Sequence, residues 1–202
     1  MDLSCRMMHI DDVGSVPLDH QGNPDEVRAR IRDLGSAAVL AFDGDRHVAQ
    51  LGFRRFEPGL RSPLGLMDPL YWGDFSGVAL PELPHATLNL FCYHVGQLRE
   101  GPERDERYQG RGLGLKLLDV LLDWAGPAGF EAIVAKAVPP VRAVAVFMGG
   151  HPQTAYEARG FETRAHWIDR ELRQAVAKRR LAADLDAASR VALCVKRAAR
   201  LS

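Results

Sequence analysis

Little in this chain points to a membrane, an oxidising compartment or a polyanionic partner. A membrane-crossing helix takes about 20 consecutive apolar residues, and no such run occurs. Met1 to Met8 have neither the basic start nor the apolar stretch of a secretory signal, so a soluble cytoplasmic protein is expected. Cysteine is scarce. Cys5, Cys92 and Cys194 are odd in number, far apart and set among apolar residues, which suits buried reduced thiols better than a disulfide framework. They show no zinc-ligand spacing either, and no metal is expected. Charge of one sign is not in excess: 26 Lys and Arg balance 26 Asp and Glu. Nucleic acid and acidic membranes draw on a basic surplus, so neither is expected as a partner. Repeats and interdomain linkers are missing too, and 202 residues with 47% hydrophobic content suit a single domain over 1–202.

What is present is a glycine-rich turn, Tyr108-Gln109-Gly110-Arg111-Gly112-Leu113-Gly114, running into an amphipathic helix that ends near Ala125. A helix start leaves N–H groups without intrahelical partners, and its dipole favours an anion there. Glycines let a ligand approach the main chain without a Cβ in the way. A P-loop would close on Gly-Lys-Ser or Gly-Lys-Thr, whereas Leu115-Lys116-Leu117 follows here. A dinucleotide fingerprint would follow a buried strand, yet Arg104 to Arg107 form a charged loop. A nucleotide-dependent oxidoreductase is therefore only a minor alternative.

Gln109-x-x-Gly112-x-Gly114 resembles the Arg/Gln-x-x-Gly-x-Gly/Ala signature of the GNAT superfamily of acyl-CoA-dependent N-acyltransferases. Further on, Tyr156-Glu157-Ala158-Arg159-Gly160-Phe161 resembles that family's Tyr-Glu-x-x-Gly-Phe. The resemblance implies an α/β fold with a mixed, mostly antiparallel sheet, a splayed central strand pair and helices on both faces. It implies acetyl-CoA as co-substrate, with the diphosphate on Gln109, Gly110, Arg111, Gly112, Leu113 and Gly114. Gly96, Gln97 and Leu98 would pair with the pantetheine arm through their main chain. Tyr156 would be the general acid for the departing thiolate. The acceptor would be a primary amine on a small molecule or peptide, and homodimers are common in such families. One departure stands out: the asparagine that often precedes the motif tyrosine is missing from Met148-Gly149-Gly150-His151, so Gln153 or main chain would replace its contact. Arg104, Arg107 and Arg111 are candidates for the CoA phosphates.

The remaining segments are consistent with this order. Leu3 to Met8 reads as a strand. Asn23-Pro24-Asp25-Glu26 starts a helix that Gly35 ends. Asp43-Gly44-Asp45 joins two apolar runs, Ala37–Phe42 and His47–Phe53, into a hairpin, and Gly52 hints at a bulge. Residues 57–86, rich in proline, glycine and aromatics, are either a lid over the acceptor pocket using Tyr71 and Trp72 or an insertion packed on the core. Thr87 to Val95 reads as the central strand, with Leu88, Leu90, Cys92 and His94 on one face and Asn89, Phe91, Tyr93 and Val95 on the other. A helix over 113–125 and a strand over 130–138 make a parallel crossover. Residues 139–150 have no assignment. A short helix over 151–160, a strand from Phe161, a helix from Asp169 to about Ala183 and a strand over 191–196 complete the chain. His94 has an ordinary pKa near ~6.5, suited to a general base, with Glu103, Glu106 or a water relay as competitors. The expected activity is N-acetyl transfer by direct attack. The alternative is a non-catalytic acyl-CoA-binding sensor or interaction module on the same fold.

Overall fold

The computed structural model describes residues 2–57, 75, 77–101 and 103–197. Most of the 57–86 insertion, Tyr71 and Trp72 included, lies outside the described residues. Seven strands form one sheet: β1 (Leu3–Met7), β2 (Ala38–Asp43), β3 (Arg46–Arg55), β4 (Thr87–Val95), β5 (Ala132–Ala137), β6 (Glu162–Ile168) and β7 (Arg190–Arg197). Their order is β1-β2-β3-β4-β5-β7-β6. Only β4 and β5 run parallel, joined by the crossover helix α2 (Leu113–Ala125); the other neighbours are antiparallel. The expected mixed sheet is the observed one.

Local chemistry explains most element ends. Helix α1 (Pro24–Leu34) begins on Asn23, whose side chain accepts from the N–H of Asp25 and Glu26 while the Glu26 carboxylate accepts from the N–H of Asn23. Gly35 ends it in the left-handed conformation that costs glycine least. The unassigned segment holds α3 (Arg142–Met148), a helix with no side-chain cap that ends on left-handed Gly149. Helix α4 is short (Gln153–Glu157), and α5 (Arg170–Arg179) starts on an Asp169 cap. That last helix is shorter than its apolar spacing predicts, because Arg180 turns left-handed at φ 53°.

Two layers of helix sandwich the sheet. On one face Leu117, Leu118 and Leu121 of α2 and Tyr156 of α4 pack on Leu51, Phe53, Leu88, Leu90 and Ile133. On the other, Val27 and Ile31 of α1 cover Ala38 and Leu40, while Val144 and Met148 of α3 join Leu172 and Val176 of α5.

The central strand departs from simple alternation. Cys92 pairs with Gly52 but Leu90 pairs with Phe53, so β4 carries one extra residue, Phe91, at that point. The glycine marks the bulge, but the bulged strand is its partner. Past the bulge the faces swap: Tyr93 and Val95 continue the α2 face begun by Leu88 and Leu90, while Cys92 and His94 turn to the α1 side. The alternation predicted from sequence therefore holds only up to Leu90. Glycine is required at 52, since a Cβ there would meet the Phe91 ring at 2.6 Å. We expect Gly52→Val to lower the unfolding free energy by about 1–3 kcal/mol in urea titrations. Phe91→Ala should recover part of that loss in the double variant; strictly additive costs would show that the ring and the glycine are not coupled.

Candidate active site

The site forms where β4 and β5 part. The two strands pair only through Thr87 with Ala132, Leu88 with Ile133 and Asn89 with Val134. Beyond them the strands diverge, and residues 149–152 enter the gap. Tyr93 donates its N–H to the Gly149 carbonyl at 3.0 Å, and Val138 donates to the His151 carbonyl at 3.0 Å. Gly149 fits so closely that a Cβ would lie 2.7 Å from the Tyr93 carbonyl oxygen.

The ladder decides which other groups face the gap. Gly96 donates to the Val48 carbonyl at 2.7 Å, so its amide points to β3, and its own carbonyl accepts from Asp105 N–H at 2.8 Å. Tyr93 and Val95, out of step with Gly96, point the opposite way. Among the described residues nothing accepts the Val95 N–H. The donor turned to the gap is thus Val95, where the resemblance had implied Gly96. Gln97 is fully buried, and its side chain is wired elsewhere. Leu98 lines a cavity of about 420 Å³ together with Gly96, Arg46, Arg99 and Arg104.

At the head of α2 the predicted cradle is available. Gly110 and Gly112 both take positive φ, 69° and 72°. Gln109 N–H is spent on the Glu106 carbonyl at 3.0 Å, and Lys116 N–H caps back onto Gly112 at 3.0 Å. Between them, no described group accepts the N–H of Gly110, Arg111, Gly112, Leu113, Gly114 or Leu115. Successive free amides around left-handed residues form an anion-binding concavity. Arg111 is exposed and has no acidic partner among the described residues, whereas Arg104 sits 3.6 Å from Asp19 and Arg107 2.6 Å from Asp105. Tyr108 anchors the turn from below: it is buried, and its hydroxyl donates to Asp43 Oδ2 at 3.0 Å.

Three aromatic groups close the gap on the α2 side. Tyr156 is buried and donates its hydroxyl to Tyr93 Oη at 3.3 Å. Burial pushes both phenols above their ordinary pKa, so both stay protonated. The His151 ring stacks edge-on against Tyr93 at 4.6 Å and lies so near α2 that a Cβ on Gly114 would meet its Nε2 at 2.6 Å. That Nε2 is buried beside the Gly114 main chain, and among the described residues it makes no hydrogen bond of ordinary geometry. Gln153, an expected stand-in for the missing asparagine, bonds instead to Glu157 and His166. His151 is thus the polar side chain that sequence reasoning overlooked. It stands at the end of the Met148-Gly149-Gly150-His151 segment, which sequence reading notes only for its missing asparagine.

His94 lies behind β4, on the α1 side. Gln97 Nε2 donates to the Asp19 carboxylate at 2.8 Å, which fixes the amide with its oxygen toward His94 Nδ1, 2.6 Å away. Gln50 agrees: its Nε2 donates to the Pro17 carbonyl at 3.0 Å and to the same Gln97 oxygen at 3.2 Å. His94 therefore carries its proton on Nδ1, and its Nε2 lone pair faces Cys92 Sγ at 2.6 Å and His20 Nδ1 at 3.2 Å. Burial lowers its pKa to about 4. The structure brings Tyr156 to the gap beside the cradle and places His94 on the far side of the strand.

No family model matches the sequence, and no curated protein does. Solved structures match the fold along nearly the whole chain. YncA from Salmonella typhimurium, solved with acetyl-CoA, is similar at TM-score 0.55 and 13% identity, covering 100% of this chain and 97% of that one. An acetyltransferase of the GNAT family from Streptococcus pneumoniae gives 0.54 and 15%, covering 98% and 100%. Ard1 from Thermoplasma volcanium gives 0.51 and 12%, covering 99% and 100%. At such identities the likeness establishes the fold: this chain has the GNAT fold. No described helix is long and apolar enough to cross a membrane.

Burial lowers His47, His94 and His151 alike, each from 6.5 to about 4. Between those values the unfolded chain binds protons that the folded imidazoles refuse. Stability is therefore full above pH 6.5 and falls as pH drops toward 4. Urea midpoints measured between pH about 7 and about 4.5 should fall accordingly, and more shallowly for His151→Gln. An unchanged slope in that variant would mean that His151 is not held neutral.

Proposed function

We propose that this chain is an N-acetyltransferase that moves an acetyl group from acetyl-CoA to a primary amine, working in the cytoplasm where its thiols stay reduced. The observation that carries the reading is the run of unclaimed amides from Gly110 to Leu115 at the head of α2. A diphosphate there would receive main-chain hydrogen bonds, the helix dipole and the exposed Arg111 guanidinium at once. From that anchor the thioester end of CoA runs into the gap between β4 and β5. Val95 N–H supplies the donor that polarises its carbonyl.

Attack by the amine nitrogen forms a tetrahedral intermediate; its collapse breaks the C–S bond, and the thiolate needs a proton. Tyr156 keeps its proton at any working pH and is the general acid in this scheme, with Tyr93 as its hydrogen-bond partner. His94 is neutral at pH 7 and can accept a proton only at Nε2. Because that atom faces His20 and Cys92 on the α1 side of β4, a base role for His94 requires a relay through His20.

A second reading, acyl-CoA binding without turnover, draws on the Tyr93–Gly149 and Val138–His151 ties across the gap. If they never open, a diphosphate can dock while its thioester is kept out. Turnover separates the two. In the transferase reading, calorimetry detects CoA binding, Gly112→Asp weakens it at least about tenfold by placing a carboxylate in the cradle, and thiol release is seen with some member of an amine panel. Tyr156→Phe should lower kcat by about 100-fold with CoA affinity unchanged. CoA binding as tight in Gly112→Asp as in the native chain would remove the diphosphate from this turn.

A further inference from the structure

Behind β4, on the α1 face, three soft or borderline donor atoms meet from segments far apart in the chain. Cys92 and His94, two apart past the bulge, project to the same side. His20 reaches them from the loop before α1, 72 residues from Cys92. His20 Nδ1 lies 3.2 Å from His94 Nε2 and 3.5 Å from Cys92 Sγ. All three atoms fall within 4.8 Å of one another. Zinc bonds of the usual lengths at tetrahedral angles would separate two nitrogens by about 3.3 Å and a nitrogen from a sulfur by about 3.6 Å. Two of the three edges already have those lengths.

The surroundings prepare the site for a cation. A metal-bound imidazole commonly gives its other N–H to a fixed acceptor, which sets the tautomer and aims the lone pair. Here Gln97 Oε1 takes the Nδ1 proton of His94, and Asp19 and Gln50 hold Gln97 in place. Two nitrogens and one sulfur suit zinc and its near neighbours, not magnesium or calcium, which take oxygen. Half-exposed His20 provides the way in from solvent.

We propose that His20 Nδ1, Cys92 Sγ and His94 Nε2 are the ligands of a zinc-class divalent cation, with water in the fourth position. On binding, the Cys92 S–H bond breaks, the sulfur–metal bond forms and the proton leaves to solvent past His20. The Cys92–His94 edge, 2.6 Å in this structure, opens by roughly 1 Å to tetrahedral spacing. A metal on Nε2 also stops His94 from accepting a proton, so the loaded state and the base role exclude one another. The site uses none of the amides of the α2 cradle and is testable apart from acetyl transfer.

The test uses the full chain stripped with a chelator and titrated with cobalt(II), then zinc(II). One equivalent of cobalt should bind with a thiolate-to-metal charge-transfer band, zinc should displace it with Kd below about 1 µM, and zinc should raise Tm. Cys92→Ser should lose the band. His20→Ala, at a half-exposed position, should keep the fold and lose about 10- to 100-fold in zinc affinity. Zinc should also slow labelling of Cys92 by a thiol reagent in the native protein. Absence of one-equivalent uptake, a band that survives in Cys92→Ser, unchanged zinc affinity in His20→Ala, or undiminished labelling of Cys92 would each overturn the site. CoA binding is unaffected by any of these outcomes, so failure here is distinct from failure of the transferase reading.

Discussion

The extra residue in β4 is the constraint on which the rest of the molecule depends. Phe91 is the extra residue where the β3–β4 register shifts, and Gly52 gives its ring room. From there the strand turns its side chains over: Tyr93 and Val95 serve the gap under α2, and Cys92 and His94 serve the pocket under α1. Two residues before the bulge, β4 makes its last pairing with β5. Side-chain orientation and strand separation thus change within a few residues, as bulges beside functional sites often bring about.

The cradle at the head of α2 needs a rigid mount, and the sheet supplies one. Leu117, Leu118 and Leu121 are fully buried against the strands below. The turn is held from its other end by Tyr108 on Asp43 and by Asp105 on Gly96. A Cβ at Gly96 would lie 2.4 Å from the Asp105 carbonyl oxygen, so the close approach that fixes the loop is itself a glycine requirement. Packing sets where the amides point, and the left-handed glycines leave them uncovered.

What could be read in advance follows how local each cause is. The Asn23 capping box, the Asp43-Gly44 hairpin and the glycine turn before α2 are each written within a few residues, and each forms where expected. The bulge depends on a contact between two strands, so the sequence hint at Gly52 pointed to the right place and the wrong strand. Helix α3 was obscured because Pro139 and Pro140 precede it and its residues are too evenly apolar to show a period. Its consequence, the delivery of Gly149 and His151 into the gap, was hidden with it. The grouping of His20 with Cys92 and His94 has no local signal beyond Cys-x-His on a strand; only tertiary closure brings the third ring in.

Peptide groups, unlike side chains, are common to every sequence. A ligand contact built from the amides of residues 110–115 leaves its mark only at the glycines that bend the chain, and the residues between can be rewritten without loss of grip. A chain relying on such a grip could change its letters widely while its backbone kept its shape, and this chain shares its architecture with proteins at only 12–15% identity.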